Sequence, residues 1–325
     1  MDEFDFIATH LAPLAGPGGL GLIDDAALLS PSPDKDLILT KDTMVEGIHF
    51  PKGHYGGDTA EKLLRVNLSD LAAKGARPIG YMLSIAWPRG IDKAYYADFA
   101  SGLREVQQAY GFSLLGGDTV SIDGPMVVTA TFIGEVPKGE MVTRSGAKVG
   151  DEIWVTGTIG DAYLGLQSVL GRNLEPTPSQ DGILHFEEAY YRPEPRLQFS
   201  KALRQYASAC ADISDGLVAD LGHIASASDV SIAIEINDLP LSSAGQIWLL
   251  KQSSKEGAYK TLMTAGDDYE LAFTSKPTLR DKIENVSKTL GLRVSRIGSV
   301  KNGAGLQASL GGQFVKFSKT GHTHF

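Results

Sequence analysis

A chain of 325 residues with 42% hydrophobic and 21% charged content has ample material for a core and most simply makes two domains. Its formal charge of −9 leaves no basic surplus to displace counterions, which argues against nucleic acid as a partner. One cysteine rules out an intrachain disulfide, the acidic start Met1 to Phe6 does not read as a signal peptide, and no apolar run suits a membrane span, so a soluble cytoplasmic protein is expected.

Phe4, Ile7, Leu11 and Leu14 keep a helical stripe from Asp2 to about Leu14, and the glycine-rich Gly16 to Gly21 then turns the chain into Asp24-Asp25. Short strands are expected at Ala26 to Leu29 and Leu37 to Lys41. Asp58-Thr59-Ala60-Glu61 has capping-box spacing for a helix running through Leu71. A strand from Ile79 to Trp87 stops at Pro88, a helix runs from Asp92 to Tyr110, and a strand from Phe112 to Leu115 ends in Gly116-Gly117-Asp118. Met126 to Val136 is a further strand. The loop from Lys138 to Gly150, holding Arg144-Ser145-Gly146, is the expected junction, dividing the chain into residues 1–145 and 146–325.

The pattern then restarts. A strand from Glu152 to Thr156 and a glycine turn lead into a helix from Asp161 to Leu170. A proline-rich crossing at Glu175 to Gln180, with Pro193 and Pro195, precedes a helix ending at Tyr206. A short strand at Ala209 turns at Asp212-Ile213-Ser214-Asp215-Gly216 into a helix through Leu217, Leu221 and Ile224. Strand Ser231 to Ile236, helix Ser243 to Gln252, strand Glu270 to Thr274, helix Thr278 to Leu290, strand Leu292 to Ser299 and a hairpin at Gly311-Gly312 complete the chain. Alternating strands and helices in both halves predict two α/β domains.

Acids recur at the expected exits of strands: Asp25, Asp42, Asp118, Asp212, Asp215 and Asp267. Asp70 joins them in Asn67-Leu68-Ser69-Asp70-Leu71, an echo of the Asp212 turn. Open sheets place ligands at such an edge. Each acid alone could cap a helix or start a turn. Together they are harder to explain so, because two carboxylates about 4 Å apart repel by roughly 4 kcal/mol at an effective dielectric near 20. An oxygen-rich cluster of this kind suits Mg²⁺ and the oxygens of a phosphate substrate. Gly157-Thr158-Ile159-Gly160-Asp161 reads either as a phosphate cradle or as a plain turn, without the Walker lysine. Arg144 is a candidate phosphate grip, His49 a candidate at the edge beyond Asp42, and Cys210 reads as buried and inert. The chemistry suggested is metal-assisted phosphoryl transfer.

Asp24-Asp25-Ala26-Ala27, Asp42-Thr43 with Val45-Glu46-Gly47-Ile48-His49-Phe50, and Asn67-Leu68-Ser69-Asp70 resemble the thiamine-monophosphate kinases. So do Gly116-Gly117-Asp118-Thr119, Thr143-Arg144-Ser145-Gly146, Asp212-Ile213-Ser214-Asp215-Gly216 and Asp268-Tyr269-Glu270-Leu271, in order along nearly the whole chain. The resemblance implies the two-domain fold of the aminoimidazole-ribonucleotide-synthetase superfamily, an α+β arrangement of mixed sheets packed with helices, and a homodimer joined through N-terminal strands. It implies phosphorylation of thiamine monophosphate to thiamine diphosphate by direct in-line transfer, with ATP as co-substrate and several Mg²⁺ ions. It places Asp25, Thr40, Asp42, Asp70, Asp118, Asp212 and Asp215 as metal ligands, and Asp42, Asp118 and Asp212 at the chemistry. It places Gly117, Asp118, Arg144 and Ser214 on ATP, and His49, Asp267 and His322 on the substrate.

Four positions depart from the family pattern. Ile23 replaces a glycine, Lys41 a metal-binding threonine, Asp267 a glutamate, and His322 the tail aromatic in Gly321-His322-Thr323-His324-Phe325. These bear on ion count and substrate affinity. The competing readings are an aminoimidazole ribonucleotide synthetase and a non-catalytic nucleotide or Mg²⁺ sensor. No reactive cysteine fits a selenophosphate synthetase, and no C-terminal cysteine fits a hydrogenase-maturation dehydratase.

Overall fold

The computed structural model describes residues 3–175 and 177–322. The chain divides into two compact units: residues 1–71 with 76–140, and residues 72–75 with 141–325.

Unit 1 opens with α1 (Glu3–Phe6), which passes into a π turn (Ile7–Leu11) and 3₁₀ turns rather than one continuous helix. Then come β1 (Lys35–Val45), α2 (Gly57–Ala73), β2 (Arg77–Pro88), α3 (Ala94–Tyr110), β3 (Ser113–Ile122) and β4 (Val127–Pro137). The sheet order is β1-β4-β2-β3, antiparallel except for β2 with β3. The strand expected at Ala26 to Leu29 does not form. β3 does not stop before the glycines but runs through Gly116, Gly117 and Asp118, because β2 pairs with it in register from Met82↔Gly116 to Pro88↔Ile122.

Period-two alternation gives this sheet two unlike faces. Tyr81, Leu83, Ile85, Val128, Ala130 and Phe132 are buried on the inner one, where Tyr81 stacks on Phe132 at 5.1 Å. The outer face leaves Leu39 on β1, Met82 on β2 and Val120 on β3 exposed.

Unit 2 contains β5 (Glu152–Thr156), α4 (Asp161–Val169), α5 (Gln180–Tyr191), α6 (Ser200–Tyr206), β6 (Ala209–Asp212), α7 (Leu217–Ser228), β7 (Ser231–Glu235), α8 (Ser243–Leu250) and α9 (Lys255–Thr264). It ends with β8 (Leu271–Ser275), α10 (Arg280–Leu290), β9 (Val294–Lys301), β10 (Gly305–Leu310) and β11 (Gln313–Val315). The seven-stranded sheet has the order β11-β10-β7-β9-β5-β8-β6 and is mixed, with β7 and β10 parallel. β5 and β8 are buried along their whole length, as central strands covered on both faces are. β6, which carries Asp212, is an edge strand. Two helices escaped the sequence reading: α5, capped by Ser179 accepting from the Gly182 amide at 3.2 Å, and α9, capped by Ser254 accepting from Gly257 at 3.1 Å.

A Cβ added at Gly117 would lie 1.8 Å from the Leu83 carbonyl oxygen. Gly117→Ala is therefore expected to lower stability by about 2 kcal/mol or more, seen as a lower urea midpoint. Gly124→Ala, whose added carbon meets only the tip of Ile122 at 3.8 Å, should stay near wild type.

Candidate active site

On β1, alternation turns Ile38, Thr40, Asp42 and Met44 inward and leaves Leu39, Lys41 and Thr43 exposed on the other face. The inward residues meet α2, where Asn67 and Asp70 share a face at i, i+3. Thr40 Oγ1 donates to Asp70 Oδ2, and the Asp42 amide donates to Asn67 Oδ1 at 3.2 Å. Thr40, Asp42 and Asp70 form one group of hard oxygen donors, suited to Mg²⁺ by ligand type. Asp70 is a helical residue, not one at a strand exit. Lys41, on the opposite face, places no ammonium in this group.

His49 lies just past β1. Its Nδ1 accepts the Val45 amide at 3.0 Å, so the neutral ring carries its proton on Nε2, which is then a donor. Glu46 ties the surrounding loop: its carboxylate accepts from the Gly53 amide (3.0 Å), the Tyr55 hydroxyl (2.8 Å) and the Met126 amide (2.9 Å). Burial raises the pKa of Glu46, but these three bonds prevail and hold it below the usual value.

At the other edge of the same sheet, Asp24, Asp25, Gly117 and Asp118 line a cavity of about 140 Å³. The approach to Asp25 is strained, with Leu20 at φ 50° and Leu22 at φ 58°. Ile23 has φ −112°, so glycine's freedom is not needed there.

The acids were expected to converge on one sheet edge, and in unit 1 they do not. The register runs Asp42↔Ala130, Ala130↔Leu83 and Leu83↔Gly117, so Asp42 and Gly117 lie in one row on opposite edge strands. That is three strand spacings, about 14 Å. Asp118 pairs with Ser84 and faces outward, whereas Asp42 faces inward. Both are mid-strand residues, and Asp25 follows no strand. Asp212, the last residue of β6, keeps the expected placement.

In unit 2 the turn after Asp212 is pinned from both sides. The amides of Ser214, Asp215 and Gly216 all donate to Asp220 Oδ2, at 3.1, 3.1 and 3.2 Å. The carbonyls face the other way: Ile213 O accepts from Tyr269 N (2.8 Å), Ser214 O from Asp267 N (2.9 Å) and Asp215 O from His322 N (2.9 Å). The turn thereby gathers Ser214, Asp215, Asp267 and His322 beside Asp212. Thr323, His324 and Phe325 lie outside the described residues. Asp267 sits at φ 65° and Tyr269 at φ 48°. A left-handed backbone suits aspartate better than most residues, which gives the shorter acid at 267 a conformational reason.

Asp220 was not singled out from the sequence. It is fully buried, and burial followed by the charge of Asp215 pushes its pKa up to about 7. Among the described residues, Asp215, Asp220 and His223 are the one group of three acidic, histidine or cysteine side chains whose ligand atoms lie within 4.8 Å of one another. The Asp-x-x-His spacing on a helix was the signal available for it. Arg144 is exposed, and its charge lowers the pKa of both Asp220 and Cys210. Cys210 is buried, which pushes its thiol up to about 12 and keeps it an unreactive core group.

Gly157 to Asp161 is a turn and not a phosphate cradle. The amides of Gly157, Ile159 and Gly160 are spent on Arg293 O (2.8 Å), Pro240 O (2.9 Å) and Asp268 Oδ1 (2.7 Å). Asp161 in turn accepts from Thr158 (2.7 Å), Ser242 (2.7 Å) and His185 Nε2 (3.1 Å).

Two family profiles match the chain: AIR synthase related protein, N-terminal domain, over residues 23–136, and AIR synthase related protein, C-terminal domain, over residues 148–311. A Caulobacter vibrioides protein named thiamine-monophosphate kinase is 44% identical over 324 residues, covering 99% of this chain and 90% of that one. The crystal structure of thiamine-monophosphate kinase from Stenotrophomonas maltophilia superposes with a TM-score of 0.80 at 36% identity, over 90% of this chain and 91% of that one. A structure of AaThiL complexed with AMPPCP and TMP gives a TM-score of 0.77 at 29% identity, over 94% of this chain and 97% of that one.

The hydrogen bond to Asp161 raises the pKa of His185 above its ordinary 6.5 against the opposing effect of burial. Folding thus favours the imidazolium: its stabilisation is fully present below about pH 6.5 and is lost as pH rises through the folded-state value. An NMR titration should place His185 above 6.5, and Asp161→Asn should remove the upward shift.

Proposed function

The chain belongs to the thiamine-monophosphate kinase family of AIR synthase related proteins, and from that premise we propose that it transfers the terminal phosphoryl group of ATP to thiamine monophosphate, giving thiamine diphosphate. The structural observation that carries this reading is the pinned turn from Asp212 to Gly216, which presents two carboxylates and a hydroxyl with Asp267 and His322 beside them. The acceptor is a phosphate oxygen, already ionised at pH 7, so the protein need not supply a general base. Its task is positioning and charge stabilisation.

Arg144 grips nucleotide phosphate with its planar fork of donors. Ser214 offers ATP its hydroxyl, because its amide is committed to Asp220. Gly117 and Asp118 supply the remaining nucleotide contacts. His49 donates from Nε2 to the phosphate of the substrate, while Asp267 and His322 contact the rest of it. The side chains that would hold Mg²⁺ are Asp25, Thr40, Asp42, Asp70 and Asp118 in unit 1 and Asp212 and Asp215 in unit 2, all hard oxygen donors. When bound, Mg²⁺ neutralises phosphate charge as it develops in transfer. Asp42, Asp118 and Asp212 are the acids we place at the reacting phosphates. A reducing cytoplasm is the compartment we assign.

We assign a homodimer as the working form, joined through the outer face of the unit 1 sheet. Two observations support it. Leu39, Met82 and Val120 are exposed on that face, which a solitary sheet would fill with polar side chains. Asp42 and Asp118 lie on opposite faces and opposite edge strands of one copy, where the row from Asp42 to Gly117 spans about 14 Å, too far to share an ion, whereas a second copy reaching round the β1 edge can bring its own Asp118 toward Asp42.

Incubation with ATP, Mg²⁺ and thiamine monophosphate should yield thiamine diphosphate by chromatography. Nucleotide binding without product would favour a sensor. Asp42→Asn and Asp118→Asn should each lower kcat by about 100-fold or more. Re-equilibrating the two inactive variants together should restore about a quarter of wild-type activity if each site draws on two copies, and none if each copy is self-sufficient. Leu39→Asp should shift the sedimentation coefficient toward that of a monomer.

A further inference from the structure

The hydrogen bonds of Asp220 account for only half of its carboxylate. Oδ2 accepts three consecutive amides and is thereby saturated. Oδ1 is buried and has no hydrogen-bond partner at all. A buried carboxylate oxygen left bare carries a desolvation cost that a ligand from outside the protein would remove. Lys316 and His322 line the adjoining cleft and Arg144 lies close enough to be felt electrostatically, yet none of them hydrogen-bonds Oδ1.

Asp220 also stands in a group of side chains able to hold a cation. His223 follows Asp220 by three residues on α7, the spacing by which helices present a carboxylate and an imidazole to one ion. Asp215 sends in a second carboxylate from the turn, and one ligand atom of each residue lies within 4.8 Å of the others. With Oδ2 committed to the amides, Oδ1 is the oxygen that Asp220 has to offer. The group opens on a cleft of about 870 Å³ lined by Asp215, His223 and His322, from which water can fill the remaining coordination positions.

We propose that Asp215, Asp220 and His223 bind a transition-metal dication of the Mn²⁺, Co²⁺ or Zn²⁺ class in the absence of nucleotide. An imidazole nitrogen beside two carboxylates selects these ions over Mg²⁺, which prefers oxygen throughout. This site differs in chemistry from the all-oxygen positions assigned to nucleotide-bound Mg²⁺ and shares only Asp215 with them. Asp215, with two oxygens, can serve both.

Mn²⁺ added to the full-length, nucleotide-free protein tests the site by electron paramagnetic resonance. One Mn²⁺ should stay bound in a hundred-fold excess of Mg²⁺ and show spin-echo modulation from an imidazole ¹⁴N. His223 is exposed, so His223→Gln should fold normally, lose the nitrogen modulation and bind Mn²⁺ about ten-fold or more weakly. Asp220→Asn should also abolish tight binding. If that variant does not fold, His223→Gln and Asp215→Asn decide the matter. Absence of nitrogen modulation in the wild type, or its persistence in His223→Gln, overturns the proposal. Thiamine diphosphate formation measured on the same samples separates the two readings, since an active kinase without the nitrogen-coupled ion defeats only this site.

Discussion

Three backbone amides in succession, Ser214, Asp215 and Gly216, point at one buried carboxylate oxygen, and the candidate site of unit 2 depends on that arrangement. With the amides turned inward to Asp220, the carbonyls of Ile213, Ser214 and Asp215 face outward. There they receive the amides of Tyr269, Asp267 and His322. One acid on a helix thus fixes a loop, and the loop fixes two further segments that are distant in sequence. The geometry leaves no room for side chains at its joints. Gly216 holds φ 124°, and a Cβ on Gly266 would lie 2.4 Å from the Ser214 carbonyl. The cost of burying Asp220 is visible in its raised pKa and in the oxygen that has no partner.

Unit 1 meets a different constraint. Its sheet has one face under helices and the other exposed, so alternation sorts every neighbouring pair of residues to opposite sides. Thr40 and Asp42 turn toward Asp70, while Lys41 between them turns away. Lys41, adjacent in sequence to the candidate metal ligands, is removed from them by one step of the strand. The same sorting sends Asp118 to the face opposite Asp42. At Gly117 the strand lies too close to the Leu83 backbone to admit a side chain.

Much of this was legible in the sequence because it rests on local periodicity. The strands at 152–156 and 231–235 and the helices at 94–110 and 161–169 follow from the spacing of apolar residues. The misreadings have local causes too. Ala26 to Leu29 is apolar enough for a strand but finds no partner to pair with. Gly116-Gly117 reads as a stop, yet glycine continues the strand where the β2 backbone presses close. Helices α5 and α9 were hidden by flanking proline and serine, although each serine proved to be a cap.

For the site, residue types were legible and their company was not. The sequence by itself named the candidates for the chemistry: a series of aspartates with Thr40, Ser214, Arg144 and His49, with Cys210 set aside as a core residue. It determined the two mixed α/β bodies as well, because hydrophobic patterning acts over a few residues at a time. Only the tertiary structure decided that Asp42 and Asp118 occupy opposite edges of a sheet, and that the amides of the Gly157 turn are already spent. It alone showed that Asp220 anchors the Asp212 turn. Those outcomes depend on strand order and on which donor meets which acceptor across the fold, and such pairings leave no periodic trace in the chain.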